Sequence, residues 1–168
     1  QQCRVLELGC ANGGNLIPMA YGLPSSQFIG VDSSLRQTAV ARVPGNVLGL
    51  SNVTFETQDL MQFTPDYGRF DYVIVHGMYS WVPAEVRHKI LQICRDNLAP
   101  NGIAYVSYNT YPGWHQVNAV RDVMRYHTRA VPDPGQRATY ARGIPRLAGI
   151  QSTRACGSTA SARWTSAA

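Results

Sequence analysis

An acidic residue and several glycines follow a short apolar run near the start of the chain. Residues 5–8 suit a buried parallel strand, and Glu7 lies near its end. Gly9 and Gly13 follow at once, where a missing side chain lets the backbone turn sharply and approach a ligand closely. A helix that begins after this turn directs unpaired backbone N–H groups toward the same crevice. The stretch therefore predicts a nucleotide-type binding turn.

Two further acids, Asp32 and Asp59, lie near the ends of the next two strand-like stretches. Asp32 follows Gly9 by 23 positions, near the roughly 20-residue separation of a dinucleotide-binding unit. A carboxylate at this place can accept hydrogen bonds from two ribose hydroxyls, and Asp59 lies where an adenine amino group could be recognised. The alternatives are that Asp32 only begins a helix, that Asp59 is a solvated loop acid, and that Glu7 bonds backbone amides across the turn.

A histidine and several aromatic residues fall in later segments, at predicted strand ends and loops. His76 ends the most apolar stretch, where it either faces a reacting group or is a structural histidine. Aromatic rings can surround a cationic amine or sulfonium, although individual rings more often serve packing. The aromatic candidates are Tyr79, Trp81, Tyr108, Tyr111 and Trp114.

Alternating strand and helix patterns position these residues. They predict an α/β sheet with helices on both faces, and right-handed crossovers then place the strand-end loops at one edge. Pro44 and Gly45 are expected to end the second helix, and Pro83 to open the third at its first position. Asn101 and Gly102 are expected to end the third helix, and Pro132 and Pro134 to close the fourth. The predicted strands are 5–8, 27–32, 52–56, 70–76 and 103–108, and the predicted helices are 15–21, 34–43, 83–100 and 116–130.

The totals favour a single domain of the ordinary globular class. The 168 residues are 45% hydrophobic and 15% charged, and no apolar run approaches the roughly 18 residues of a membrane span. The four cysteines have no C-x-x-C spacing, which predicts reduced thiols and a cytoplasmic location. Ten basic and ten acidic residues balance through Asp133, so the net charge of +5 comes from five later arginines that do not cluster. This distribution argues against nucleic-acid binding.

The turn and several later segments resemble one enzyme family. Residues 7–13, with the letters ELGCANG, resemble the first motif of class I S-adenosylmethionine-dependent methyltransferases, and Asp32 and Asp59 match the family's acids after strands two and three. Ala11 departs from the common E-x-G-x-G-x-G pattern as a small replacement. The segments GNLIPMA, HGMYSWVP and GIAYVSYNTYPGWH are similar to a subgroup with an added regulatory domain, which includes bacterial protein-lysine methyltransferases of outer-membrane proteins.

This resemblance implies a three-layer Rossmann-like sandwich with S-adenosylmethionine as cofactor and the lysine side chain of a protein as methyl acceptor. It implies that Glu7 holds the methionine end of the cofactor, Asp32 the ribose and Asp59 the adenine, while Gly9 and Gly13 let the backbone approach.

The predicted site has a cofactor part and an acceptor part. The cofactor part consists of Glu7, Gly9, Cys10, Gly13, Asp32, Ser33, Asp59 and Leu60, of which Cys10 is a small filler and not a nucleophile. The acceptor part consists of His76, Tyr79 and Trp81. Residues 9–14 also fit G-x-A-x-x-G, a degenerate NAD signature, so an NAD-binding module stays an alternative, as does a non-catalytic module that binds a cofactor or partner without turnover.

The resemblance covers about residues 4–142, and we predict an incomplete methyltransferase domain over 1–142. Two further strands that a complete domain of this class has after the fifth are not recognisable, and residues 143–168 are predicted to be an irregular basic tail. This pattern favours a fragment truncated after strand five, such as a truncated or frame-shifted gene product. No oligomeric state is predicted.

Overall fold

Strands and helices alternate along the chain as far as the fifth strand. The computed structural model describes residues 2–147 and 159–164. The strands are β1 (Arg4–Leu8), β2 (Gln27–Asp32), β3 (Val53–Thr57), β4 (Phe70–Val75), β5 (Leu98–Asn109) and β6 (Thr159–Trp164). The helices are α1 (Leu16–Gly22), α2 (Leu35–Val47), α3 (Ala84–Asn97), α4 (His115–His127) and α5 (Pro134–Leu147), and two 3₁₀ turns span Leu60–Gln62 and Pro65–Tyr67.

One sheet contains all six strands, in the order β3-β2-β1-β4-β5-β6. β1 pairs in parallel with both β2 and β4, and β2–β3 and β4–β5 are parallel as well. The strand order therefore reverses between β1 and β4, and ligands of open parallel sheets bind outside the carboxyl ends of the strands at such a point. Glu7 and the glycine turn lie on one side of this point, and His76 lies on the other.

Side chains of β1 alternate between two apolar cores, one on each face of the sheet. Leu6 and Leu8 belong to the core that α3 covers, whereas Val5 belongs to the core that α1 and α2 cover. Because alternate side chains of a strand share a face, Glu7 lies on the same face as Val5. The two cores and their helices make a three-layer α/β sandwich, and this prediction is confirmed.

The second helix runs past the expected break at Pro44. α2 ends at Val47, so that Pro44 occupies its last turns and Gly45 is buried above Val53 of β3. Proline removes the hydrogen bond that its N–H would make and crowds the carbonyl of the preceding turn, but its own carbonyl still accepts from the N–H of Leu48 at 2.9 Å. The prediction of an end at Pro44 is therefore wrong.

The third helix also differs from the prediction at both ends. Pro83 is its N-cap residue and not its first helical residue, and the helix ends at Asn97 instead of at Asn101 and Gly102. The buried amide of Asn97 donates to the carbonyl of Gly68 at 2.9 Å. Leu98, the next residue, already pairs with Phe70 of β4, and a register irregularity follows before β5 continues from Ile103. These two tertiary contacts end the helix before the glycine can.

The irregular tail predicted from residue 143 is wrong where the structure describes it. α5 runs to Leu147 and begins at Pro134, because the Asp133 carboxylate caps it by accepting from the N–H of Gln136 at 2.7 Å. β6 lies beside β5 as a sixth strand. An open strand edge offers backbone donors and acceptors whatever the side-chain pattern, so the sequence pattern gave little warning of β6. The predictions for residues 148–158 and 165–168, Cys156 included, lie outside the described residues.

The chain divides into two compact units. One consists of residues up to Tyr108 together with those from Ser161 onward, and the other extends from Asn109 to Ala160. Within the second unit α4 packs against α5, and α4 ends at His127, before the predicted Ala130, where the Thr128 hydroxyl donates to the carbonyl of Met124 at 2.7 Å. Over residues 2–147 and 159–164, no helix combines the length and the apolar character needed to cross a bilayer.

β3 is the first strand of the sheet and has β2 as its neighbour. Carbonyls alternate sides along a strand, and that of Asn52 accepts from Phe28 of β2 at 2.8 Å. The carbonyl of Phe55 therefore points away from β2. The Arg42 guanidinium of α2 donates to it through Nη2 at 2.7 Å and Nε at 3.2 Å.

Candidate functional site

Glu7 is a buried acid whose carboxylate is only half satisfied. Its side chain is 2% exposed, and its Oε1 accepts from the Asn15 side-chain amide at 2.7 Å. Its Oε2 is buried and has no hydrogen-bond partner among the described residues. Burial raises the pKa of Glu7 above its usual value, and the hydrogen bond from Asn15 acts in the opposite direction. A buried acceptor without a partner is costly, so Oε2 marks a place that suits a ligand donor or a bridging water.

The glycine turn crosses the carboxyl end of β2 in a left-handed backbone conformation. Gly9 and Gly13 have φ values of +71° and +76°, which glycine adopts without strain. A Cβ on Gly9 would lie 2.4 Å from Sδ of Met78, and one on Gly13 would lie 2.7 Å from the Phe55 ring. The backbone conformation thus favours glycine at both positions, and at Gly13 packing against Phe55 does so as well, in addition to the predicted approach to a cofactor.

Ala11, the departure from the family motif, also adopts a left-handed conformation, with φ of +46°. This conformation costs a residue with a Cβ about 1–2 kcal/mol, which explains why a glycine is common there. Its N–H donates to Oδ2 of Asp32 at 3.0 Å. The hydrogen bond to a charged acceptor acts against this strain.

Asp32 joins the glycine turn to the start of α2. Its Oδ2 accepts from Ala11 and its Oδ1 accepts from the N–H of Ser34 at 2.8 Å. A carboxylate has about four acceptor positions, so each oxygen keeps one for a further donor. Two neighbouring hydroxyls of a ribose would fit these two positions. Ser33, the next residue, is exposed at the same edge.

Asp59 and Leu60 begin the 3₁₀ turn that follows β3. Oδ1 of Asp59 accepts from the N–H of Met61 at 2.9 Å, and the side chain is exposed. Leu60 is buried in the core on the α3 face. Asp59 is therefore a cap residue whose second oxygen stays available, and contact of a ligand with Leu60 would have to involve its backbone. The structure describes no contact of either residue with Glu7 or Asp32.

His76 and the loop after β4 are held by a residue that the sequence analysis missed. The Ser107 hydroxyl oxygen accepts from the N–H of Gly77 at 2.9 Å and lies 3.1 Å from Nδ1 of His76. The imidazole is exposed, and its ring centre is 6.0 Å from that of Tyr105. His76 thus lies at the predicted edge, with Nδ1 beside the Ser107 hydroxyl.

The predicted aromatic residues are divided between the two compact units of the chain. Tyr79 packs partly against the core, with its ring centre 6.3 Å from that of Tyr108 at an angle of 58°. Trp81 follows two residues later in the same loop and is 51% exposed. Tyr111 and Trp114 belong to the second compact unit, where Tyr111 makes an edge-on contact with His115.

Cys10 lies buried inside the turn, with its sulfur beside Gly30. A Cβ on Gly30 would lie 2.8 Å from this sulfur. Burial raises the pKa of the Cys10 thiol to about 12, and the charges of Asp32 and Glu7 act in the same direction. The thiol is protonated at neutral pH, which agrees with a filler and not a nucleophile.

These groups fit an adenosyl ligand that carries an amino-acid end. Such a ligand has vicinal hydroxyls for the two open positions on Asp32 and an ammonium group that suits the unpartnered Oε2 of Glu7. The glycine turn between them has no Cβ at Gly9 or Gly13. The fit depends on two acids at neighbouring strand ends and on one buried oxygen that the fold leaves open.

Comparison with known proteins agrees with this interpretation. A family model of a methyltransferase domain matches residues 5–102, the part of the chain from β1 to the start of β5. The chain belongs to the class I S-adenosylmethionine-dependent methyltransferases. The match includes all the residues of the predicted methyltransferase site.

Among solved structures, the methyltransferase chain is similar to PKMT2 from Rickettsia typhi in complex with AdoHcy. The two are 37% identical with a TM-score of 0.75, and the match covers 88% of this chain and 28% of PKMT2. The uncharacterized protein RP789 of Rickettsia prowazekii (strain Madrid E) is 45% identical over 142 residues, which are 84% of this chain and 26% of that protein. The protein-L-isoaspartate O-methyltransferase of Roseiflexus sp. (strain RS-1) is 31% identical over 87 residues, covering 52% of this chain and 39% of the enzyme. The chain thus spans about a quarter of the length of the first two proteins.

Proposed function

We propose that this chain binds S-adenosylmethionine and forms the methyl-transferring part of an enzyme that N-methylates lysine side chains of a protein. The observation that carries the proposal is the buried Glu7 carboxylate, whose Oε2 has no partner among the described residues and lies beside the glycine turn. A fold that leaves a charged oxygen unsatisfied recovers that cost when a cationic ligand binds.

Three acids divide the recognition of the cofactor in this proposal. Asp32 holds the ribose hydroxyls, because two backbone N–H groups already orient its carboxylate. Asp59 offers its free oxygen to the adenine amino group, and Glu7 holds the methionine ammonium directly or through water. The remaining proposed cofactor contacts come from Ser33 and from the backbone at Cys10 and Leu60.

The acceptor side of the site is proposed to take an aliphatic amine. Tyr79 and Tyr108 form a tilted aromatic pair, and Trp81 exposes a third ring in the loop that contains Tyr79. Aromatic faces stabilise a nearby cation such as a lysine ammonium or a sulfonium. The resemblance of these aromatic segments to protein-lysine methyltransferases supports a lysine in a protein as the acceptor.

The chemistry needs little from the protein besides placement. S-adenosylmethionine, when bound, supplies a methyl group on a sulfonium, which a neutral amine nitrogen attacks in line, releasing the neutral thioether. The acceptor ammonium must first lose a proton, and the exposed edge of the site lets water take it. We therefore assign no general base, and His76 is proposed to line the acceptor part of the site.

A cytoplasmic location is part of the proposal. Cys3, Cys10 and Cys94 are free thiols, and reduced thiols are usual in that compartment.

Calorimetric titration of the purified chain with S-adenosylhomocysteine tests cofactor binding, with NAD as the control ligand. Binding of S-adenosylhomocysteine alone supports the proposal, and binding of NAD alone refutes it. Transfer of labelled methyl groups to lysine peptides and to their alanine-substituted controls then tests the acceptor. Cofactor binding without any transfer would refute catalysis by this chain and favour a module that binds without turnover.

A further inference from the structure

Ser107 occupies a buried position between the ends of two strands of the sheet. Val75 of β4 pairs with Val106 of β5, so the next residues, His76 and Ser107, lie side by side where β4 ends. Ser107 is 4% exposed, and its hydroxyl oxygen lies 2.9 Å from the N–H of Gly77 and 3.1 Å from Nδ1 of His76. One hydroxyl group therefore touches both the imidazole and the loop that follows it.

The number of available protons decides how these two contacts are made. The Gly77 N–H can only donate, so the Ser107 oxygen accepts there. The hydroxyl has a single proton, and Nδ1 of His76 is the one acceptor that the structure describes near it. If Nδ1 carried a proton instead, the buried hydroxyl proton would have no acceptor, which is unfavourable. Nδ1 is then the acceptor, and the proton of the neutral imidazole is on Nε2.

We propose that Ser107 is a positioning residue that holds His76 in the Nε2–H form, so that His76 acts as a hydrogen-bond donor at the acceptor side of the site. The imidazole is exposed, and no residue within 2–147 is described as a partner of Nε2. An N–H there suits a carbonyl or carboxylate oxygen of the protein that presents the lysine. This last step rests on the proposed function, whereas the Nε2–H form does not.

The same hydroxyl links His76 to the glycine turn through the loop. Gly77 has φ of +74°, and the hydrogen bond to Ser107 fixes this bend. The sulfur of Met78, the next residue, packs against Gly9 so closely that a Cβ on this glycine would lie only 2.4 Å from it. Loss of the Ser107 hydroxyl is therefore expected to loosen the imidazole and the start of this loop together.

The Nε2–H form also limits what His76 can do. Nitrogen Nε2 already carries a proton in the neutral ring, so it cannot take one from an acceptor ammonium unless the tautomer changes. This agrees with transfer of that proton to water and assigns orientation, not proton removal, to His76.

Nitrogen NMR of the whole ¹⁵N-histidine-labelled chain tests the proposal at alkaline pH, where imidazoles are neutral. The chain has four histidines, and a His76→Gln variant identifies the signals of His76. We expect Nε2 to be the protonated nitrogen and Nδ1 the unprotonated one. A protonated Nδ1 overturns the proposal from the wild-type spectrum alone, without any need for turnover.

Three variants separate positioning from a merely structural role. Ser107→Ala is expected to lower the ratio of the Nε2–H form to the Nδ1–H form about tenfold, the factor that a hydrogen bond of ordinary net strength supplies. Ser107→Thr keeps a hydroxyl and is expected to restore the ratio, and Ser51→Ala, at an exposed serine elsewhere, leaves it unchanged. An unchanged ratio in a folded Ser107→Ala chain overturns the assignment.

Kinetics adds a readout of the substrate contact. In a chain that transfers methyl groups, Ser107→Ala is expected to raise KM for the lysine peptide several-fold and to raise KM for S-adenosylmethionine by a smaller factor, because Ser107 reaches the glycine turn only indirectly, through Gly77 and Met78. A rise in both by the same factor would show a general loss of structure and refute the contact. Absence of transfer in the wild-type chain would refute catalysis while leaving the NMR result intact.

Discussion

Replacement of the buried acid Glu7 by glutamine should stabilise the free protein while weakening ligand binding. The substitution keeps the oxygen that accepts from Asn15 at 2.7 Å and removes the negative charge that the fold leaves without a second partner. A buried unsatisfied polar group costs about 1–3 kcal/mol, and more when it is charged. The amide group of the new glutamine is buried without a partner as well, so the substitution removes only the part of this cost that belongs to the charge. We therefore expect the free energy of unfolding of Glu7→Gln to exceed that of the wild type by about 1 kcal/mol at pH 8.

The difference should depend on pH in a defined direction. Burial raises the pKa of Glu7 in the folded chain above the ordinary value of 4.5, so between these two pKa values the folded state binds more protons than the unfolded state. The stability of the wild type then falls as pH rises through this window and stays at its lower level above the folded pKa. The advantage of Glu7→Gln is expected to vanish near pH 4.5 and to reach its full size above the window.

Urea unfolding at several pH values measures this difference directly. Glu85→Gln is a matched control, because Glu85 is an exposed acid of α3 and its replacement should change stability by no more than about 0.5 kcal/mol. Saturating S-adenosylhomocysteine should reverse the order, because the ligand stabilises only the chain that binds it well. A Glu7→Gln chain that is less stable at pH 8, or a difference that does not change with pH, would refute the reasoning.

Three further predictions concern the glycine turn and its neighbours. Asp32→Ala is expected to weaken S-adenosylhomocysteine binding by about 1–3 kcal/mol in calorimetry, and unchanged affinity in a folded variant would remove Asp32 from the site. Gly9→Ala is expected to lower the free energy of unfolding in urea by about 1–3 kcal/mol, because φ is +71° and the new Cβ meets Met78. Gly22→Ala is the control, because a Cβ there would have no atom within 4 Å. Equal effects of the two substitutions would contradict the argument. Cys10 is expected to resist alkylation in the folded chain at pH 8, since a pKa of about 12 leaves a thiolate fraction of about 10⁻⁴; rapid labelling in a mass-spectrometric assay would show that the turn opens.

The sequence sufficed for the fold and for the position of Asp32 beside the glycine turn, because both depend on local patterns. Apolar runs ending in an acid identified β1 and β2, and the spacing from Gly9 to Asp32 identified the turn that Asp32 in fact holds. The burial of Glu7 could not be predicted in the same way. It depends on which face of β1 meets α1, and Asn15 becomes its partner only once that helix is in place.

Features that depend on pairing between distant strands were missed. Ser107 reaches His76 only because β4 and β5 pair in one register, and a shift of one residue would direct the serine to the other face. β6 has a weak pattern of its own and lies against an edge that β5 provides. The continuation of α2 past Pro44 has the same origin, since burial of Gly45 over β3 outweighs the local preference to stop.

The Arg42 guanidinium has a consequence for how copies of the chain meet in solution. It occupies the outward carbonyl of Phe55 at the β3 edge of the sheet, which is one of the acceptors that an incoming strand of a second copy would use. One arginine thereby interrupts the row of groups through which sheets of two molecules could join and grow. Arg42→Ala is expected to self-associate at concentrations where the wild type sediments as a single species, and identical sedimentation of the two would contradict this role. A residue remote from the cofactor acids would then determine how concentrated the folded chain can become.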